Sequence, residues 1–130
     1  MALLLDTVAL VHGFDEPDQL PKRLIERIRQ AGATGDVFVS VASFWEIAIK
    51  SGLGKLSTPA DLPDRVAAYP DFTLLPILPA HVWRTRELPQ FPDHKDPFDR
   101  LIAAQALEQG LTVATPDPHF ARYGVSVAWS

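Results

Sequence analysis

The chain has 130 residues, with 12 Lys and Arg against 16 Asp and Glu for a formal net charge of −4, and it contains no cysteine. That length suits one domain over residues 1–130, and a composition 47% hydrophobic and 22% charged excludes a disordered, collagen-like or coiled-coil chain. The lack of cysteine excludes a disulfide-stapled scaffold and a thiolate zinc site, while the acidic balance argues against a module that holds nucleic acid by bulk positive charge.

The opening Met1-Ala-Leu-Leu-Leu5 has no basic flank, and no apolar run approaches the roughly 18 residues of a membrane span. A soluble, cytoplasmic protein with no membrane partner is expected. Residues 2–5 instead read as a short strand buried on both faces. Leu20, Leu24, Ile28 and Ala31 then recur at helical spacing, with Asp18 as N-cap and Gly32 just beyond the end. Residues 37–41 form a second apolar strand, followed by a helical stripe of Phe44, Ile47 and Ala48. Weaker helices are predicted over 60–69 and 80–88, flanking a strand at 72–75. Phe98, Leu101, Ile102 and Ala106 trace a further helix closed by Gly110, and strands at 111–114 and 125–129 complete a set of five. Twelve prolines fall mostly between these segments as punctuation. Short apolar strands alternating with helices predict an α/β fold, a three-layer α/β/α sandwich with a mainly parallel central sheet.

In such sheets the functional crevice lies outside the carboxyl ends of the strands, so the residues just after each apolar run are the place to look for chemistry. Four acids stand there: Asp6 after the first run, Glu46 after the second, Asp99 one turn into the helix that begins near Pro97, and Asp117 after the fourth run. Each has a purely structural explanation. Ser43-x-x-Glu46 reads as a capping box, Asp96-Pro97-x-Asp99 as an N-cap with a first-turn acid, Asp117-Pro118 as another cap, and Asp6-Thr7 as the start of a helix. Caps do not explain why four acids gather at one edge of one sheet. Carboxylates that converge repel one another and need a proton or a cation between them. An all-oxygen donor set points to Mg2+, with Mn2+ able to substitute, and to hydrolysis of a phosphodiester by a metal-activated water.

The same residues carry a family resemblance. Leu3-Leu-Leu-Asp-Thr7, Ser40-Val-Ala-Ser-Phe-Trp-Glu-Ile-Ala-Ile-Lys50 with Gly54-Lys55-Leu56, His94-Lys-Asp-Pro-Phe-Asp-Arg-Leu-Ile-Ala-Ala-Gln-Ala106, Thr112-Val-Ala-Thr-Pro-Asp117 and Phe120-Ala-Arg-Tyr-Gly124 stand in the order and spacing of PIN-domain ribonucleases. Among these the chain resembles the VapC-type toxins of type II toxin–antitoxin systems. The resemblance implies a PIN-like sandwich and Mg2+-dependent endonucleolytic cleavage of RNA, of the tRNA or ribosomal RNA class. It also implies restraint by a cognate antitoxin protein, and a homodimer. It makes Asp6 and Asp99 the direct metal ligands, lets Glu46 bind or orient the metal or the attacking water, and has Asp117 complete the cluster, accompanied by Thr115. The chain departs from the common pattern at Val8 and His12, where His and Trp are usual, and at Pro116. That departure bears on substrate contacts more than on metal binding.

Supporting candidates are Thr7, Asp96, Lys50 and Arg100. Asp96 either joins the site through water or simply caps the helix. Lys50 and Arg100 either bind substrate phosphate or an antitoxin carboxylate, or form salt bridges within the acid cluster. His94 and His12 are candidate acid–base groups, with surface or partly packed positions the plainer expectation. Trp45 and Phe44 would stack on a base or pack in a core or dimer contact. Lys22, Arg23 and Arg27 form a basic strip, either solvated or set against RNA. Two rival functions stand beside the nuclease. One is a catalytically silent PIN-like interaction module; the other is a phosphatase of the haloacid dehalogenase type, which needs a second Asp where this chain has Val8. Sixteen acids less the four at the proposed site equal the twelve Lys and Arg, so the excess charge has the size of the site itself. Acidity then stops excluding RNA and becomes a requirement for metal.

Overall fold

The computed structural model describes residues 2–130. Five strands, β1 (Leu3–Leu5), β2 (Val37–Ser40), β3 (Phe72–Leu75), β4 (Thr112–Ala114) and β5 (Val127–Ala128), form one sheet in the order β3-β2-β1-β4-β5. Every pairing is parallel, with Leu4 opposite Phe38 on one side and Val113 on the other. Six α-helices flank it: α1 (Thr7–Asp15), α2 (Lys22–Gly32), α3 (Val41–Gly52), α4 (Leu62–Ala68), α5 (Pro79–Arg84) and α6 (Pro97–Gln109). The expected five strands are all present, each within two residues of its predicted bounds.

Strand alternation sorts the core into two layers. Leu4 and Val113 face one side, where they pack with Ile102, Ala103 and Phe120 under α6. Leu3, Leu5, Val37 and Val39 face the other, against Leu10 of α1, Leu24 of α2, Ile47 of α3 and Val66 of α4. With both faces covered, the strands read as continuous apolar runs instead of alternating ones. Burying side chains the size of Phe120 or Ile102 stabilises the fold by about 1.5–3 kcal/mol each.

Some helix boundaries differ from the sequence reading. Asp18 sits in a separate 3-10 turn, Pro17–Gln19, and α2 starts after Pro21 without a side-chain cap, so Gly32 falls inside the helix. Gly32 is needed there for space: a Cβ would come within 2.7 Å of the Asp71 Cβ. The capping box at Ser43 and Glu46 does not form. β2 runs straight into α3, and Ser40 caps it by accepting a hydrogen bond from the Ala42 N–H at 3.0 Å. Ser43 and Glu46 therefore lie within the helix and are buried. The Asp96 cap, Pro97 at the first turn and Gly110 at φ 67° behave as expected, Gly110 supplying the left-handed residue that ends α6.

All strands point the same way, so all their carboxyl ends share one edge. The chain runs outward from β1 through β2 to β3, then returns to place β4 on the other flank of β1. The topological switch therefore lies between β1 and β4, and the cleft described next opens at that point.

Candidate active site

Asp6 follows β1 and caps α1. Its Oδ1 accepts the Ala9 N–H at 2.8 Å and its Oδ2 accepts the Thr115 hydroxyl at 2.6 Å, and the residue is only 2% exposed. Thr115, just past β4, also accepts the Asp117 N–H at 3.0 Å through the same hydroxyl oxygen, so one side chain ties the two strand ends together. Thr7 donates to Ser43 at 3.1 Å and joins α1 to α3. Glu46 reaches in from α3. Its Oε2 pairs with Lys50 Nζ at 2.8 Å one turn along, while its Oε1 is buried without a hydrogen-bond partner. Asp99 comes from the first turn of α6, its Oδ2 3.2 Å from His94 Nε2. Asp117 is held by His119, whose backbone N–H and ring Nδ1 reach its Oδ1 at 2.9 and 2.7 Å.

These four acids line one cleft of about 430 Å3, together with the polar side chains of Thr7, Lys50, Asp96 and Lys55 and the apolar ones of Val8, Val11 and Leu56. Asp96 lines this cleft, and its Oδ1 caps the Phe98 and Asp99 N–H groups at 2.8 and 3.1 Å as the cap reading expects. Lys50 resolves to the salt bridge within the cluster. Arg100 forms no salt bridge with the acid cluster among the described residues. Its guanidinium turns away to the Pro89 and Thr85 carbonyls at 2.8 and 3.0 Å and over the Tyr123 ring, where it fastens the loop before α6. Phe44 packs against the core, whereas Trp45 is 56% exposed with its ring edge-on to Phe98. On α2, Arg27 bonds the Ser130 carbonyl at 2.9 Å.

Crowding of like charges shows in the acids themselves. Burial, opposed by the Thr115 and Ala9 hydrogen bonds and aided by Asp117 and Glu46, pushes the Asp6 pKa up to about 6. Burial, together with Asp96, Glu46, Asp6 and Asp117, pushes Asp99 up to about 8. Asp117 goes the other way: burial works against its charge, but the hydrogen bonds from His119 outweigh it and hold the carboxyl below the ordinary value. Lys50 is held above its ordinary value by the hydrogen bond to Glu46.

Sequence reasoning underrated the histidines. His94 is buried, with Nε2 between Asp99 and Asp117 and Nδ1 2.6 Å from the Tyr123 hydroxyl. His119 was not singled out at all, yet it stacks on His94 with ring centroids 4.4 Å apart. The available signal was its place two residues after Asp117, where a side chain can fold back onto the preceding Asp. His12 lines the cleft mouth on α1.

The donor set suits a hard divalent cation: four carboxylates converge, two of them hold protons more tightly than free aspartate, and one buried carboxylate oxygen has no partner. A parallel α/β protein with a carboxylate-lined cleft at its switch point is the class this geometry defines. The chain belongs to the PIN domain family, whose profile matches residues 3–126. Solved structures of similar fold include FitAcB from Neisseria gonorrhoeae, at 22% identity and TM-score 0.68 over 96% of this chain and 95% of that one. VapBC from Salmonella typhimurium, bound to DNA, matches at 20% identity and TM-score 0.70 over 100% and 99%. VapBC2 from Rickettsia felis, bound to a DNA fragment from its promoter, matches at 15% identity and TM-score 0.71 over the whole of both chains. No curated protein sequence matches the chain.

Proposed function

We propose that the protein is a Mg2+-dependent endoribonuclease, a single PIN domain acting in the cytoplasm as the toxin of a type II toxin–antitoxin pair. The observation that carries this reading is the convergence of Asp6, Glu46, Asp99 and Asp117 from four separate elements on one cleft, with Glu46 Oε1 buried and unpaired. The resemblance to VapC-type toxins and the VapBC complexes among its structural neighbours support the toxin assignment.

Asp6, Asp99, Glu46 Oε1 and Asp117 would hold the ion. Bound there, Mg2+ (or Mn2+) supplies a Lewis acid for the phosphodiester and lowers the pKa of an attacking water. The remaining side chains prepare that arrangement. Thr115 fixes one Asp6 oxygen and the Ala9 N–H fixes the other. Lys50 engages Glu46 Oε2, which fixes the side chain and leaves Oε1 for the ion. His94 holds Asp99, and His119 orients Asp117. Lys55, which also lines the cleft, would meet an RNA phosphate. Val41, Trp45, Ile49 and Leu53 form an exposed apolar stripe at helical spacing along α3, which supports a homodimer. The phosphatase alternative gains nothing, since the position two residues after Asp6 holds the half-exposed Val8.

The direct test incubates purified wild type and Asp6→Ala with total RNA in Mg2+, Mn2+ or EDTA. Cleavage by wild type in Mg2+ or Mn2+ only is the expected outcome, and cleavage that survives EDTA or the substitution overturns the metal site. Expression of wild type should arrest growth where Asp99→Ala does not, and harmless wild-type expression removes the toxin role.

A further inference from the structure

Beside the carboxylate cleft lies a second group of ligating atoms of different chemistry. His94, Asp117 and His119 each offer one ligand atom, and these lie within 4.8 Å of one another. Asp117 reaches one nitrogen of each ring, its Oδ1 2.7 Å from His119 Nδ1 and its Oδ2 3.8 Å from His94 Nε2. The rings are parallel to within 10° at a 4.4 Å centroid separation.

The surroundings prepare His94 as a ligand. The Tyr123 hydroxyl lies 2.6 Å from His94 Nδ1 and 3.3 Å from the His94 backbone carbonyl, so Nδ1 is engaged on the protein side. Nε2, the other ring nitrogen, is directed at Asp99 and Asp117 at 3.2 and 3.8 Å. Metal-binding histidines commonly have their second nitrogen engaged in this manner, which fixes the tautomer and the ring orientation. On the outer side Asp93 faces His119 Nε2 at 3.6 Å and is itself clamped by Arg122 at 2.8 and 3.1 Å, so His119 too has a carboxylate behind it.

We infer that His94, His119 and Asp117 form a site for a divalent transition ion of the Zn2+ or Co2+ type, adjoining the carboxylate cleft and sharing Asp117 with it. Two imidazole nitrogens and one carboxylate oxygen favour borderline ions over Mg2+, which takes oxygen donors and sheds water reluctantly. The site stands whether or not the chain cleaves RNA. Because Asp117 serves both sites, a transition ion held by the histidines weakens Mg2+ binding in the cleft, and Mg2+ weakens the transition ion by the same factor.

Calorimetric titration of the whole chain with Zn2+, and optical titration with Co2+, both in excess Mg2+, test this. Wild type should take up the transition ion against the Mg2+ background, His119→Ala should lose at least about tenfold in affinity, and Asp6→Asn, which alters only the carboxylate cleft, should retain it. Electron spin-echo modulation with Cu2+ bound to wild type provides a readout independent of any substitution, and imidazole nitrogen coupling is expected. Unchanged affinity in His119→Ala, or coupling to oxygen ligands without nitrogen, overturns the site. Loss of Mg2+-dependent cleavage with retained nitrogen coupling overturns the nuclease reading alone.

Discussion

Two buried polar regions of this molecule are built on opposite terms. Between β2, α5 and α6, the Ser40 hydroxyl donates to Gln105 Oε1 at 2.6 Å, the Gln105 amide donates to the Pro76 carbonyl at 3.2 Å, and His81 Nδ1 accepts the Leu78 N–H at 3.0 Å. Ser40, His81 and Gln105 are fully buried, carry no carboxylate among them and are supplied with partners. At the strand edge, by contrast, buried Glu46 leaves one oxygen unpaired, and Asp6 and Asp99 have their pKa values driven up by burial and by one another. The first arrangement costs nothing further once folded. The second leaves charge frustrated until a cation arrives, and that difference separates a structural network from a functional one.

The comparison breaks first, and most visibly, on activity. Asp99→Asn or Asp6→Ala should lower RNA cleavage by at least about 100-fold, because loss of a ligand should cost no less than loss of its supporting partners. Gln105→Leu should leave the metal-dependent rate per folded molecule unchanged. A Gln105→Leu enzyme that folds but fails to respond to Mg2+ would show that the two regions are one system.

The next effect is on stability against pH. Asp6 and Asp99 hold protons more tightly in the folded chain than in the unfolded one, so between about pH 4 and pH 8 the folded state binds the excess of protons. Stability of the metal-free protein should therefore fall as pH rises through that window, by an amount on the order of a few kcal/mol. Mg2+ should raise the melting temperature more at pH 8 than at pH 5, since at low pH protons already occupy the carboxylates. Thermal melts in EDTA and in Mg2+ at the two pH values check this, and an increment independent of pH removes the frustration argument. Asp99→Asn should show the converse, melting higher than wild type at pH 8 without metal although it is inactive.

Within the closed network, Gln105→Ala should destabilise the chain by about 1–3 kcal/mol, since it leaves the buried Ser40 O–H without its acceptor; denaturant titration measures it. The smallest effect expected is that of Thr115→Val, about 1 kcal/mol, with a weaker Mg2+ response because Asp6 loses its orienting donor. An unchanged Mg2+ response in Thr115→Val would limit that hydroxyl to tying β1 to β4.

Much of this was legible before any coordinates. The apolar runs gave all five strands because strands covered on both faces need no polar alternation, and the Asp96-Pro97 start and Gly110 end of α6 follow from backbone chemistry local to those residues. Asp6 and Asp117 were legible as acids standing just after apolar runs of a parallel sheet, and Glu46 and Asp99 as acids early in helices that begin at that edge. Ser43-x-x-Glu46 misled because the capping box is a local pattern and the helix start was set elsewhere: β2 continues into α3 without a loop, so the cap falls on Ser40. Arg100 misled because adjacency to Asp99 in sequence puts its side chain about 100° around the helix, where carbonyls of the preceding loop collect it.

The sequence by itself determined the strands, most of their helical connections, the class of sheet and the four acids that line the cleft. Each of these rests on periodicity, on a cap, or on residue type at a chain position. Only the tertiary structure decided which partner each acid has: Thr115 for Asp6 across 109 positions, His94 and Tyr123 behind Asp99, His119 folded onto Asp117, and Glu46 left with one free oxygen. Charge and desolvation act through space and depend on a few tenths of an ångström. No local pattern carries that information until β4 comes to lie beside β1.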